Sequence, residues 1–331
     1  MRPAPFLMIA LASAALASAC TSSDPAADGP PSSETLSEPS DGAELKADGS
    51  GVSTGTPPGT LVRLQLEHGA FPASGTLPNA VVYVPKAFDP TAPVGLVVYL
   101  HGFWNCAENV LRPKNGACVA GRAAHNAYNL ANQLEASGRN ALLLVPELAF
   151  EQASSDPGRL AEQDAFYDLV DEALTQLAAA DDQVGSLALW DLTTIVVASH
   201  SGGYKAAAGI ASVGGLWVDE LYLLDSLYGM DDAFDAYLQD DLDALQAAPP
   251  TRRFADVYSK DAGTLAASQA MAKRAAAALP AAALLDDRTT ATLTTAQYAH
   301  GALFKRTGLG HDDIPRYYFG RLLATSSLPG H

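Results

Sequence analysis

The run from Thr193 to Tyr204 carries an apolar stretch straight into Ser199-His200-Ser201-Gly202-Gly203. Thr193 to Ala198, rich in β-branched residues, predicts a buried strand, and the alanine-rich residues after Gly203 predict a helix. A serine held at a sharp strand-to-helix turn, with small neighbours that avoid a clash, has its hydroxyl lifted above the sheet. Such a hydroxyl is a weak nucleophile near neutral pH. It needs a histidine to take its proton and a carboxylate to orient that histidine and stabilise its charge. The chain holds seven histidines and 37 acidic residues, so residue type alone leaves both partners open.

The elements that must position these groups follow from the pattern after residue 61, where short apolar runs alternate with longer amphipathic ones. That alternation is the signature of strands feeding helices in a largely parallel sheet. Strands are expected at Leu61–Glu67, Ala80–Val84, Gly95–Leu100, Ala141–Val145, Thr193–Ala198, Leu221–Leu224 and Phe254–Tyr258, with a final one at Ala291–Tyr298. The unbroken apolar runs at 95–100, 141–145 and 193–198 suit central strands covered on both faces. Helices are expected at Gly121–Ser137, Gly158–Ala179, Gly202–Val213, Asp231–Ala247 and Gly263–Leu279, the last stopped near Pro280. The acids Asp231, Asp232, Asp235, Asp240, Asp241 and Asp243 read as the first turn and solvated face of a helix, and match no calcium-loop spacing.

A small residue, any residue, serine, any residue and glycine, set between such a strand and such a helix, resembles the nucleophile elbow of the α/β-hydrolase superfamily. Here Ser199 stands where that family has its first glycine and Gly203 supplies the second. Ser199 is the poorer nucleophile, because the residue two beyond it is Ser201 rather than glycine. The resemblance spans residues 61–331. It implies an α/β fold with a mostly parallel central sheet of about eight strands and helices on both faces. The elbow then falls on the fifth strand, where that family keeps its serine.

In that family the chain order is serine, acid, histidine, which leaves His300, His311 and His331 as bases. His311, in the glycine-rich loop Gly308-Leu-Gly-His-Asp-Asp, is preferred over His300, which ends the expected last strand. Asp225, at the carboxyl end of Leu221–Leu224, is the preferred acid, with Asp261, after Phe254–Tyr258, the alternative. The resemblance places oxyanion-binding N–H groups at Gly202 and in the His101-Gly102-Phe103-Trp104 loop, Phe103 before Trp104, with His101 shaping that loop. Trp104, Glu147, Arg159 and Tyr228 are further candidates to meet substrate, against ordinary roles in packing or surface pairing. The implied chemistry is hydrolysis through an acyl-enzyme, of an ester on a small-molecule or polymeric acyl substrate, with no metal or organic cofactor. A peptidase or amidase of the same fold is one alternative, and a surface binding protein without turnover is another. The absence of a long inserted segment suggests an open site.

The first residues hold Arg2, an apolar run from Phe6 to Leu16, then Ala17, Ser18, Ala19 and Cys20. The run is too short for a permanent membrane span. Leu16 to Cys20 resembles the processing site of a bacterial lipoprotein, which implies a signal peptide at 1–19, lipid on Cys20 and attachment to a membrane. Plain secretion is the alternative. Residues 20–60 carry Asp24, Asp28, Glu34, Glu38, Asp41, Glu44 and Asp48 against Lys46, and almost no large apolar side chains. They are expected to form a disordered acidic tether. On the lipoprotein reading Cys106 and Cys118 remain as an even pair in an oxidising compartment, expected to form a disulfide unless they stay as buried free thiols. The formal charge of −17, with no Lys/Arg cluster, argues against a nucleic-acid partner.

Overall fold

The computed structural model describes residues 52–331, except Thr76 and Asp261. The expected signal peptide and Cys20 lie outside the described residues, as do most of the tether and the alternative acid Asp261. No helix among the described residues is long and apolar enough to cross a membrane.

Nine strands form one sheet in the order β1-β2-β6-β3-β7-β8-β9-β11-β10. They are β1 (Thr60–Leu64), β2 (Ala80–Val84), β3 (Val94–Leu100), β6 (Ala141–Pro146), β7 (Leu192–His200), β8 (Glu220–Leu224), β9 (Arg253–Tyr258), β10 (Leu284–Asp287) and β11 (Ala302–Arg306). β1 and β2 pair antiparallel, as do β2 and β6, and every other pairing is parallel. Side chains alternate across the sheet with period two. Leu96, Val98 and Leu100 pack on one face beneath α3 (Ala165–Ala180), α4 (Tyr204–Val213), α5 (Asp231–Asp240) and α7 (Ala262–Ala278). Val97 and Tyr99 pack on the other, under α1 (Ala107–Leu111), α2 (Leu130–Ser137) and α9 (Ile314–Ala324). Burial on both faces is why the central strands read as continuous apolar runs.

The chain steps from β3 to β6 on one side, then returns past β3 to β7 on the other. This reversal opens a crevice at the carboxyl ends of β3 and β7, where open α/β sheets place their ligands. β7 is the fifth strand of the main sheet, and it leads directly into the Ser201–Gly203 turn and α4.

Several sequence expectations need correction. Ala291–Tyr298 is not a strand. Thr294 and Gln297 instead form a reciprocal capping box, so Thr295–Tyr298 is a short helix, α8. The last strands are β10 and β11. β11 is disguised by Lys305, whose buried ammonium donates to Asp287 (2.8 Å) and to the carbonyls of Thr289 and Ala291. Only Leu130–Ser137 of the helix expected at 121–137 is helical. The preceding residues pair as β5 (Ala124–His125) with β4 (Gly116–Ala117), and Cys118 is joined to Cys106 by a disulfide (S–S 2.10 Å). The helix expected at 231–247 breaks in two at Asp241, whose side chain caps α6 (Leu242–Gln246) through the Ala244 N–H.

Candidate active site

Ser201 stands at the carboxyl end of β7 with φ +52°, a left-handed conformation rare for a residue with a side chain and costly unless its surroundings enforce it. Two close approaches do so. A Cβ on Gly203 would lie 2.5 Å from the Leu100 carbonyl oxygen, and one on Gly102 would lie 2.6 Å from Ser201 Cβ. Glycine at both places lets the turn pack onto β3 and lets the following loop pass directly over the serine. Ser199, in place of the family's first glycine, is fully buried and takes part in a relay. Its hydroxyl donates to Ser226 Oγ (2.9 Å), which donates to the Ser201 carbonyl (2.9 Å).

Asp225 follows β8, also with positive φ (+48°). Its carboxylate is fully buried, with Oδ2 2.7 Å from His311 Nδ1. Oδ1 accepts from the Ser259 N–H (2.9 Å) and the Thr264 hydroxyl. Burial pushes this carboxyl toward the neutral form, but the bonds from His311, Ser259 and Thr264 outweigh it and hold its pKa below the ordinary carboxylate value. His311 comes from the turn after β11 and is 28% exposed, so the imidazole has one edge on the buried acid and another toward solvent.

His300 lies elsewhere. It precedes β11 rather than following it, which puts it at the amino end of the parallel strands, with Nδ1 3.0 Å from the Gln297 carbonyl oxygen. The terminal His331 is exposed and its N–H bonds to Gly138. Of the three histidines left by chain order, only His311 meets Asp225.

Sequence reading set His200 aside, yet it packs against His311, with ring centroids 4.5 Å apart and the planes tilted by 36°. Burial, and secondarily the neighbouring His311, hold its pKa well below the usual imidazole value. The neutral ring donates from Nε2 to the His311 carbonyl (3.2 Å) and presents Nδ1 to the Tyr128 hydroxyl (3.2 Å). That hydroxyl also lies 3.1 Å from Asp312 Oδ1. Tyr128, His200 and Asp312 therefore fix the backbone and ring plane of His311. No local spacing announces them, although His200 adjoins Ser201 in sequence.

Ser201, His200, His311 and Asp312 line a cavity of about 380 Å³ with Phe103, Trp104, Asn105, His125, Asn126 and Tyr128. The disulfide ties the hairpin wall of this cavity to the loop after β3. The Trp104 N–H donates to the Gln152 carbonyl (3.0 Å), whereas the Phe103 N–H has no partner among the described residues. Gly202 lies in the first turn of a 3-10 helix, where N–H groups have no partner within the helix. Phe103 and Trp104 are exposed at the mouth. Tyr228 is exposed too, its ring centroid 6.3 Å from that of His311.

Glu147 departs from its expected place at the pocket mouth. It is 8% exposed, with Oε1 2.9 Å from His101 Nε2 and Oε2 accepting the Ala107 N–H (2.9 Å). His101 Nδ1 in turn lies 2.9 Å from the Gly102 carbonyl oxygen. One carboxylate thus holds both ends of the loop that crosses Ser201, a brace that sequence reading missed. Arg159 reaches the Glu67 carbonyl instead of the cavity. Among the described residues two groups bring three potential metal ligands together, Cys118, His125 and Glu151, and His200, His311 and Asp312. Cys118 is oxidised in the disulfide, and Nδ1 of His311 is engaged by Asp225.

No protein-family model and no curated protein matches the sequence. Solved structures do. The feruloyl esterase module from Clostridium thermocellum, a point mutant complexed with sinapinate, aligns over 84% of this chain and 93% of its own, at 12% identity and a TM-score of 0.53. An S-formylglutathione hydrolase from Staphylococcus aureus aligns over 82% of this chain and 97% of its own, at 14% identity and a TM-score of 0.43. The strand order, the helices on both faces and the first of these likenesses give one conclusion: this chain has the α/β-hydrolase fold.

Proposed function

We propose that the protein is a serine hydrolase acting on carboxylic esters through an acyl-enzyme. The observation that carries the proposal is the 2.7 Å contact between His311 and buried Asp225, in a site where His311 and the strained Ser201 line the same cavity. Ser201 Oγ attacks the acyl carbon as His311 takes its proton. Asp225 holds the ring tautomer and stabilises the imidazolium that forms. The N–H groups of Gly202 and Phe103 receive the oxyanion. His311 returns the proton to the leaving alkoxide, and water repeats the sequence to free the acid. Glu147 and His101 position the oxyanion loop, and Ser199 and Ser226 hold the nucleophile's peptide.

Ester rather than amide chemistry is supported by the fold neighbour, a feruloyl esterase module. The same reading has residues 1–19 removed on export and the hydrolase domain, from residue 61, held at a membrane by lipid on Cys20 through an acidic tether. The leader pattern supports that arrangement. The test is labelling of the full-length protein with a fluorophosphonate probe, beside Ser201→Ala, His311→Ala and His300→Ala variants. Labelling lost in Ser201→Ala and His311→Ala but kept in His300→Ala is expected. A folded wild-type protein that neither labels nor hydrolyses esters would overturn the proposal in favour of a surface binding protein.

A further inference from the structure

A second cavity, about 400 Å³, shares no lining residue with the first and is the less polar of the two. Its walls combine Phe71, Leu77, Leu148, Ala149 and Phe150 with polar residues that include Glu147 and Asp156. It lies between the loop that precedes β2 and the segment that follows β6. Because Ala80 of β2 pairs with Pro146 of β6, this is the carboxyl edge of the parallel strands, the edge that carries Ser201. β6 is separated from β7 by β3 alone, so the cavity stands roughly 10 Å along the sheet from the nucleophile at the usual strand spacing.

The partition between the cavities is thin. Ser155, between Ser154 and Asp156 of the cavity wall, places its Oγ 3.3 Å from where a Gly202 Cβ would be, and the Phe103 ring lies 2.4 Å from the same point. The next residue along the partition, Gln152, accepts the Trp104 N–H of the oxyanion loop. Resting on the hydrolase reading above, the direction of the substrate follows from proton transfer. The leaving alcohol must lie against His311, which protonates it, and the space beside His311 is polar, lined by Asn105, His125, Asn126 and Asp312. The acyl arm then runs the other way, over the exposed Phe103 ring that covers Gly202 and past Ser155.

We propose that the Phe71–Phe150 cavity is the acyl-specificity pocket, and that the substrate is an ester joining an extended apolar acyl group to a polar alcohol. A short acyl group ends before reaching it. A long aliphatic one buries its distal methylenes there, and each buried methylene strengthens discrimination in a hydrophobic pocket.

The test uses the full-length protein with p-nitrophenyl acetate and p-nitrophenyl octanoate, comparing wild type with Ala149→Phe, which fills the cavity, and Leu77→Asp at its rim. Leu77 is 39% exposed, so its substitution tests the cavity even if Ala149→Phe fails to fold. The expected result is a kcat/KM for octanoate at least about tenfold above acetate, with the octanoate-to-acetate ratio falling roughly tenfold in each folded variant. Equal use of the two esters, or a ratio unchanged by both substitutions, overturns the pocket assignment while leaving ester hydrolysis standing. Absence of turnover of either ester together with absence of Ser201 labelling overturns the hydrolase reading itself, and the pocket with it.

Discussion

Strand β8 has a carboxylate at each end, and the two are used in opposite ways. At its amino end Glu220 pairs with Arg253 (3.0 Å), with side chains 0% and 2% exposed, and its other oxygen accepts from the Ser327 N–H and hydroxyl. Arg253 also donates to the carbonyls of Thr325 and Tyr298. Every partner there is protein, and the cluster fastens the chain's last residues to the sheet. At the carboxyl end Asp225 is equally buried, but its partner His311 keeps an edge open to a cavity that also holds Ser201. Burying a charge pair with all bonds internal makes a fastening. Burying one side and leaving the other accessible makes a group whose protonation can change during a reaction.

Substitutions sharpen this contrast. Ser201→Ala should reduce kcat by roughly 10⁴-fold or more, and Asp225→Asn by about 10⁴-fold through loss of the correct tautomer. Both proteins should keep a near wild-type thermal transition, measured by calorimetry beside the ester assay. Arg253→Met should do the reverse. It leaves Glu220 buried without its partner and should cost about 3–5 kcal/mol of stability, while the fraction that remains folded labels normally with fluorophosphonate. A Glu220→Met, Arg253→Met double variant should recover much of that loss, since apolar side chains of similar volume can replace a buried ion pair. A double variant no more stable than Arg253→Met alone would show that the surrounding hydrogen bonds, rather than the pair, carry the fastening.

Glu147→Gln tests a middle case, a buried carboxylate that touches no reacting atom. It should lower kcat by roughly ten- to a hundredfold through a misplaced oxyanion loop, less than deleting a donor outright, with KM for a small ester little changed. A fall in stability with kcat intact would make Glu147 a purely structural residue.

A further buried carboxylate, Asp256 in mid-β9, faces the Ser268 hydroxyl and has no cationic partner. Burial, opposed by the Ser268 hydrogen bond and reinforced by the charge of Asp225, raises its pKa from 3.8 to about 8. The folded state therefore holds a proton that the unfolded chain releases, and this group's contribution to stability falls as pH rises between about 4 and 8, by at most about 1.4 kcal/mol per pH unit. Asp256→Asn should flatten that dependence and be the more stable protein at pH 8. Denaturant titrations across that range would show it, and parallel slopes for the two proteins would remove Asp256 from the account.

The turn at Ser201, the strand end at Asp225 and the loop at His311 were legible because each sits where local pattern changes. A β-branched run ends at Ser199, an apolar run ends at Asp225, and a glycine cluster surrounds His311. Where a strand carries its own charge the pattern misleads. Lys305 hid β11, and the alternation of Ala291–Tyr298 imitated a strand although the Thr294 and Gln297 box was there to be read. That one error moved His300 to the wrong end of the sheet as a plausible base.

By itself the sequence determined the class of fold and singled out Ser201, Asp225 and His311 as candidates, because hydrophobic period and turn chemistry are local properties. Tertiary structure alone decided which histidine meets Asp225, that Glu147 braces a loop, that His200 lies against His311, and that a second, less polar cavity opens at the same edge of the sheet. Those pairings join residues far apart in the chain, and what brings them together is strand order and the packing of two sheet faces, which no local pattern encodes.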